Sequence, residues 1–262
     1  MMALRTAATG MAAQDLNVDV ISNNIANMNT VGFKKGRAEF EDLIYQNVEQ
    51  AGSQSSSQGT IVPTGVQVGS GVKAGSVYTI STQGSNTQTS NPLDMAIQGT
   101  GYFQVLLPSG QTAYTRAGNF SVNGQGQLVT ADGYQVIPQT TIPQGATNIT
   151  ISTAGQVQVT LAGQTAPQQV AQLQLASFFN NAGLQPLGDN LFSQTDGSGA
   201  PTVGTPGLQG MGTILQGYTE ASNVDPVTEI TALIVAQRAY EMNSKVITTA
   251  DQMLQTNTQM KS

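Results

Sequence analysis

The acidic residues of the middle of this chain include Asp94, Asp132, Asp189 and Asp196, and two such carboxylates held together can serve as general acid and general base. Their contexts argue against that use. Asp132-Gly133 and Asp196-Gly197 read as turn formers, and Asp189 sits in a similar Gly-Asp-Asn context. Asp196-Gly197-Ser198-Gly199 lacks the series of acidic ligands that a calcium loop needs. Gly124-Gln125-Gly126 is a fragment of a dinucleotide-binding pattern with no helical pattern after it. The chain has no cysteine, histidine or tryptophan, so transition-metal sites and Cys/His or Ser/His nucleophile pairs cannot be built. The sequence therefore assigns no catalytic residue, no metal ligand and no cofactor. A hydrolase remains only as a remote alternative, to be recognised by activity lost on carboxylate substitution.

Binding chemistry is narrowed in the same way. Only 9% of the 262 residues are charged, against about 25% in an average soluble domain, and Gln, Asn, Ser and Thr replace charge as the solvated surface. The net charge is −6, and no Lys or Arg occurs from Ala117 to Gln237. Displacing counterions from phosphate takes clustered cations, and Lys34, Lys35 and Arg37 are the only group of that kind. Nucleic acid is excluded as a partner. The longest apolar run, Ala232–Ala236, is far short of the roughly 20 residues that span a bilayer, so no membrane insertion is expected. Thr6, Thr9, Gln14 and Asp15 interrupt the front of the chain where a signal peptide would carry its apolar stretch. The expectation is a cytoplasmic protein or one that leaves the cell without a cleaved signal, and a cysteine-free chain fits export.

One polar constellation lies in a helical context. Ser22, Asn23, Asn24 and Asn27 crowd together, although Asn is a mediocre helix former. Either they fray a helix end into water, or Asn23 and Asn27, one turn apart, hydrogen-bond a partner helix and set its register. Asn223, Gln237 and Asn243 are the candidate counterparts near the other end of the chain.

The elements that would position them are two apolar stripes. At the front, Leu4, Met11, Val18 and Ile25 fall seven apart, with Ala7, Ile21 and Met28 three further on. At the back, Leu233, Tyr240, Ile247 and Leu254 repeat by seven, flanked by Ala232, Ala239, Val246, Met253 and Met260. Such a period predicts helices over about 3–28 and 226–260 that need a partner helix to cover the stripe. Neither is stable alone, because nucleation is costly and one stripe offers little burial. The partner is the other end of the same chain or a neighbouring copy. Asp225-Pro226 reads as an N-cap and first-turn proline, with Glu229 in the first turn. Gly32 is placed to close the front helix in the left-handed conformation.

Between the helices, short alternating runs and turn pairs predict an all-β body. Tyr102–Leu107 and Gln111–Arg116 flank Pro108-Ser109-Gly110 as a hairpin, and Leu128-Val129 and Tyr134–Ile137 flank Asp132-Gly133. Ile149, Ile151, Val157, Val159 and Leu161 alternate around Ala154-Gly155. Residues 33–45 are open between a short helix and an extended arm. The Gln/Ser-rich stretch 46–60 is linker-like in composition.

Three motifs in order resemble a known family. Ser22-Asn23-Asn24-Ile25-Ala26-Asn27 with Thr30-Val31-Gly32-Phe33-Lys34 is similar to the N-terminal signature of bacterial flagellar rod and hook axial proteins. Gln237-Arg238-Ala239-Tyr240-Glu241-Met242-Asn243-Ser244-Lys245, preceded by Ser222-Asn223-Val224, resembles their C-terminal signature. Asn91-Pro92-Leu93-Asp94-Met95-Ala96-Ile97-Gln98-Gly99-Thr100-Gly101-Tyr102-Phe103 and Tyr114-Thr115-Arg116 match between them, so Asp94 belongs to a family motif. Within the family the nearest likeness is to distal rod proteins, on the segment 46–63 and on the block from Thr141-Ile142-Pro143 to Asn148-Ile149-Thr150-Ile151. The alternatives are the similar-sized protein that joins proximal to distal rod and, from another class, a secreted oligomeric adhesion module.

The resemblance implies an α+β subunit whose long N- and C-terminal helices pair as a coiled coil around a central all-β domain. Residues 1–30 with 224–262 would form the polymerising helical domain, 31–70 a connecting arm with an inserted stiffening segment, and 71–223 the β-rich outer domain. It implies that Leu4, Met11, Val18, Ile21, Ile25, Leu233, Tyr240, Ile247 and Leu254 make the polymerisation seam. Asn23, Asn24, Asn27, Gly32, Gln237, Arg238 and Asn243 would set register. Partners would be further copies in a helical homopolymer, other rod proteins, the hook protein, the surrounding L and P rings, and the flagellar export apparatus. The location would be the periplasm-spanning rod of the basal body. Residues 46–63, linker-like by composition, would be ordered in the assembled rod and brace neighbouring subunits.

Overall fold

A computed structural model of the chain describes residues 2–49, 64–163 and 166–260. It forms two compact units, one from Met1–Ile25, Gly36–Tyr78 and Pro226–Ser262, the other from Ala26–Lys35 and Thr79–Asp225. The architecture is α+β, with a helix at each end and a β-rich middle.

The first unit holds α1 (Met2–Ala26) and α2 (Pro226–Gln259), with Glu229 in the first turn of α2. At 34 residues, α2 is roughly 50 Å long. α1 stops two residues before the expected end, within the usual uncertainty of a helix terminus. The reason is Asn27: Thr30 donates its N–H to the Asn27 carbonyl at 3.1 Å and its hydroxyl to Asn27 Oδ1 at 3.1 Å. Residues 33–45 resolve as extended chain, with β1 (Gly36–Asp42) paired to β4 (Val72–Thr79). β2 (Tyr45–Glu49) pairs antiparallel with β3 (Val66–Gly69), Gln46 opposite Val68 and Asn47 opposite Gln67. Residues 46–49 are thus strand, although their composition reads as linker. Residues 50–63 of that segment lie outside the described residues.

The second unit is the β body. Its strands are β5 (Asn86–Gln88), β6 (Met95–Gln98), β7 (Tyr102–Leu106), β8 (Thr112–Thr115), β9 (Ser121–Val122), β10 (Leu128–Val129), β11 (Gln135–Ile137), β12 (Ala146–Ile151), β13 (Gln156–Leu161), β14 (Gln168–Gln172), β15 (Leu175–Ser177), β16 (Gln185–Gly188), β17 (Leu191–Ser193), β18 (Thr202–Gly204), β19 (Thr213–Gln216) and β20 (Tyr218–Glu220). The main sheet runs β16-β17-β8-β7-β11-β10-β9, with β15 on β7 and β18 on β15. β12-β13-β14 form a second sheet, and β19-β6 and β20-β5 are pairs.

The predicted hairpin is β7-β8, with Phe103 opposite Thr115 and Gly110 at the turn at φ +81°. The Asp132-Gly133 turn joins β10 to β11, with Gly133 at φ +89°. Inward side chains of both sheets meet in one apolar core containing Met95, Ile97, Phe103, Val105, Phe120, Val157, Leu173, Leu175 and Ile214. Phe103 and Phe120 meet edge to face at 5.1 Å. A smaller cluster stacks Tyr102, Tyr114 and Phe178.

Candidate assembly surfaces and a buried charge joint

On α1, Ile21 is buried and Leu4, Met11, Val18 and Ile25 are half-buried. On α2, Leu233 and Ile247 are half-buried, while Tyr240 and Leu254 are 44% and 40% exposed. The face of α2 that turns fully inward is a different heptad of small and polar residues: Glu229, Ala236 and Ala250 are buried and Asn243 is half-buried. α1 likewise buries Ala7, Ala13 and Asn24 beside Ile21. Small residues let helices approach closely; a Cβ on Gly10 would stand 3.0 Å from Asn243 Nδ2. Of the large apolar residues of the two stripes, Ile21 is buried with this face and the others are half-buried or exposed.

Of the Asn cluster expected to set register, Asn24 makes its contacts within the chain. Asn23 lies on the exposed side of α1 and Asn27 is in the turn after it. Asn24 is buried; its Oδ1 accepts the Gly36 N–H at 2.8 Å, and its Nδ2 donates to the Gly36 carbonyl at 2.9 Å and to Glu229 Oε2 at 3.2 Å. One side chain thus ties α1, the start of β1 and the first turn of α2. The signal was present in the sequence as the stripe Gly10, Asn17, Asn24, seven apart, which an apolar search passes over.

The two contacts also fix a direction. Going from Asn24 back to Gly10 on α1 corresponds to going from Glu229 forward to Asn243 on α2, so the helices run antiparallel in one register. Every residue from Asp251 to Met260 is exposed. A second apolar stripe of α2, Val235, Met242, Val246, Met253 and Met260, is also exposed; it lies roughly a quarter turn round from Ala236. Gln237 and Arg238 are exposed as well. On the β2-β3 ribbon, Val66 and Val68 share a face, and they and Val48 are exposed.

In the second unit, Asn223 serves the β body rather than a helix. Its Oδ1 accepts the Lys35 N–H at 2.8 Å and its Nδ2 donates to the Ile80 carbonyl at 2.9 Å. Beside it lies a charge cluster that sequence reasoning missed. Glu220 is wholly buried, and Lys34 and Arg116 nearly so. Lys34 Nζ donates to Glu220 Oε1 and, at 2.8 Å, to the Thr82 carbonyl. Arg116 donates to Glu220 Oε2 at 3.1 Å and to the Gly99 carbonyl at 2.7 Å, and its guanidinium lies 5.4 Å from the Tyr102 ring centre. The Gly84 N–H adds a bond to Glu220 Oε1 at 2.9 Å. Burial pulls the Lys34 ammonium below its ordinary pKa, and the hydrogen bond and charge of Glu220 oppose that pull. Burial likewise raises the Tyr102 phenol.

Gly32 belongs to this joint. It has the expected positive φ, +71°, but six residues past the helix end, where its N–H donates to the Glu220 carbonyl at 2.8 Å and a Cβ would stand 2.5 Å from Ala117 N. Lys34 and Arg116 stand in the quoted motifs, yet nothing in the spacing of residues 34, 116 and 220 announces that they meet.

The four weighed carboxylates do not converge. Asp132, Asp189 and Asp196 are exposed in turns, with Asp189 at φ +53°. Asp94 is buried and accepts from Asn91 Nδ2 at 2.8 Å, a local bond that shapes its own turn. Among the described residues, no group of three or more acidic side chains is placed to hold a metal ion.

Comparison with known proteins agrees with this architecture in three segments. Residues 4–34 match the flagella basal body rod protein family, 96–159 the flagellar hook protein FlgE/F/G D1 domain, and 215–260 the flagellar basal body rod FlgEFG protein C-terminal family. The chain is 70% identical over its whole length, and that of its relative, to the flagellar basal-body rod protein FlgG of Caulobacter vibrioides. It is 54% identical to the Agrobacterium fabrum protein of that name over 97% of both chains. Identity to the Bacillus subtilis one is 40% over 96% of both.

Proposed function

The chain belongs to the flagellar basal-body rod protein family, and from that premise we propose that its terminal helices pair as a coiled coil and, with those of neighbouring copies, build a torque-bearing helical shaft. It is a structural subunit of the distal rod, located in the basal-body rod, and assembles with other flagellar rod and hook components. The observation that carries the assembly reading is the uncovered surface of α2. The helix has a covered face, centred on Ala236, and an exposed apolar stripe from Val235 to Met260. Its last two turns are exposed throughout. Removing that surface from water takes another helix, and a copy-to-copy contact that does not close on itself generates a filament.

The named seam residues divide accordingly. Ile21, Leu233 and Ile247 serve pairing within the chain; Tyr240 and Leu254 serve contact between copies. Unfolded export without a cleaved signal suits helices that gain their full burial only on arrival. Contacts with the hook protein and the L and P rings extend the same reading. For the segment 46–63, its flanking ribbon exposes Val48, Val66 and Val68, a surface that a neighbouring subunit can cover, in line with a bracing role.

The test is Met253→Asp combined with Leu254→Asp. A charge in a helix–helix contact is costly to bury, so basal bodies from this strain should lack the distal rod and cells should not swim, while the purified chain melts as wild type does. Normal motility would refute the assembly surface.

A further inference from the structure

The β body carries a solitary aromatic knob and, at the other end of the same strand pair, a notch of matching size. Phe178 and Phe179 follow β15. Phe178 turns inward and stacks edge to face on Tyr102 at 5.9 Å and Tyr114 at 4.7 Å. Phe179 turns outward and is fully exposed, at 103%. An exposed large apolar residue taken singly is ordinary, but this one is held firmly. Phe178 is locked in an aromatic cluster on one side, and on the other Asn180 Nδ2 donates to the Gly197 carbonyl at 2.9 Å.

β15 pairs antiparallel with β18, Leu175 opposite Gly204 and Ser177 opposite Thr202. Phe179 therefore lies past the Thr202 end of the ladder, and Thr205–Leu208 lie past the Leu175 end. There, Ala154, Thr205, Pro206, Leu208 and Thr213 line an open notch of about 250 Å³. The notch is braced by Leu173 N–H to Gly155 carbonyl at 2.8 Å, Ile214 N–H to Thr153 carbonyl at 3.1 Å and Gly207 N–H to Gly212 carbonyl at 3.0 Å. Small-molecule sites are larger, at roughly 300–1,000 Å³, so this notch suits one side chain. The three pairs of the β15–β18 ladder lie between the two features.

We propose that Phe179 of one copy seats in the Ala154/Pro206/Leu208 notch of the next, a head-to-tail contact between β bodies. A second copy is the occupant for three reasons. Knob and notch occur on the same chain at opposite ends of one strand pair, so the contact is head-to-tail and can repeat from copy to copy, as the proposed rod requires. The body has no Lys or Arg between Ala117 and Tyr218, which leaves shape and apolar burial as the means of recognition. A phenyl ring entering such a notch buries a surface of roughly 150–250 Å². This inference rests on the reading that copies of the chain meet one another, and adds a contact in the β body to the helical one.

The test places p-benzoylphenylalanine at position 179, which keeps an aromatic knob, and irradiates purified basal bodies. The expected product is a dimer of the chain whose adduct maps to residues 153–154 or 205–213. An adduct elsewhere on the chain, an adduct only to a different rod or ring protein, or no adduct would each overturn the proposal. A parallel probe at Met253 keeps the two readings apart: chain dimers from Met253 with none from Phe179 sink the knob alone, and dimers from neither sink self-assembly. In motility agar, Phe179→Leu should swim as wild type and Phe179→Asp should swim at least several-fold less. Wild-type swimming by Phe179→Asp would also overturn the contact.

Discussion

The two units of this chain solve the problem of burial in opposite ways. The β body closes over its own core: Phe103, Leu173, Leu175 and Ile214 are almost entirely removed from water, and its most buried carboxylate, Glu220, is met by two cations and a backbone N–H. The helical unit buries small and polar residues, Ala7, Ala13, Ala236, Ala250, Asn24 and Glu229, and leaves much of its large apolar surface outside. A domain that finishes its core within one chain is a folding unit. In the proposed assembly, a helix that keeps Val235, Met242, Val246 and Met253 in water carries part of its core for another molecule. The difference separates what makes the subunit stable from what makes it assemble.

That separation can be broken most severely at Glu220. Glu220→Ala leaves Lys34 and Arg116 buried without their carboxylate, at a cost of about 3–5 kcal/mol, and denaturant titration should show the β transition at much lower midpoint. Phe103→Ala should act through a cavity in the same unit, by about 3–5 kcal/mol, and also appear as a lowered melting temperature of the β signal. In the helical unit, Asn24→Ala removes the bonds to Gly36 and Glu229 and costs about 1–3 kcal/mol. It should be read as faster amide exchange in α1 and β1 with the β body unchanged. At the small end, Lys73 and Glu41 form an exposed pair at 2.9 Å; such pairs contribute little, so Lys73→Ala should leave melting and motility indistinguishable from wild type. An Asn24→Ala variant whose β body melts early would show that the two units are not separable.

Legibility from sequence follows the range of the interactions. The two helices, the β7-β8 hairpin and the Asp132-Gly133 turn were readable because they rest on local period and on turn chemistry within a few residues. The Asn cluster was readable as a register device: hydrogen-bonding capacity is shared by Asn23, Asn24 and Asn27, and the orientation of α1 turns Asn24 towards Gly36 and Glu229. The apolar heptad was found on its large residues because side-chain size marks hydrophobicity, whereas close helix approach selects Ala and Gly. The Lys34–Arg116–Glu220 joint was not readable, since its members are separated by 82 and 104 positions and come together only through the topology. The strand at 46–49 was hidden by a composition that ladder hydrogen bonds tolerate.

In the proposed rod, α2 gains its full burial between copies. The most direct measurement is hydrogen exchange of α2 amides in the purified chain and in isolated rods. Burial between copies predicts rapid exchange over Gln252–Gln259 in the free chain, strong protection of the same amides in the rod, and a β body protected in both. Equal protection of Gln252–Gln259 in the free chain and the rod would contradict it.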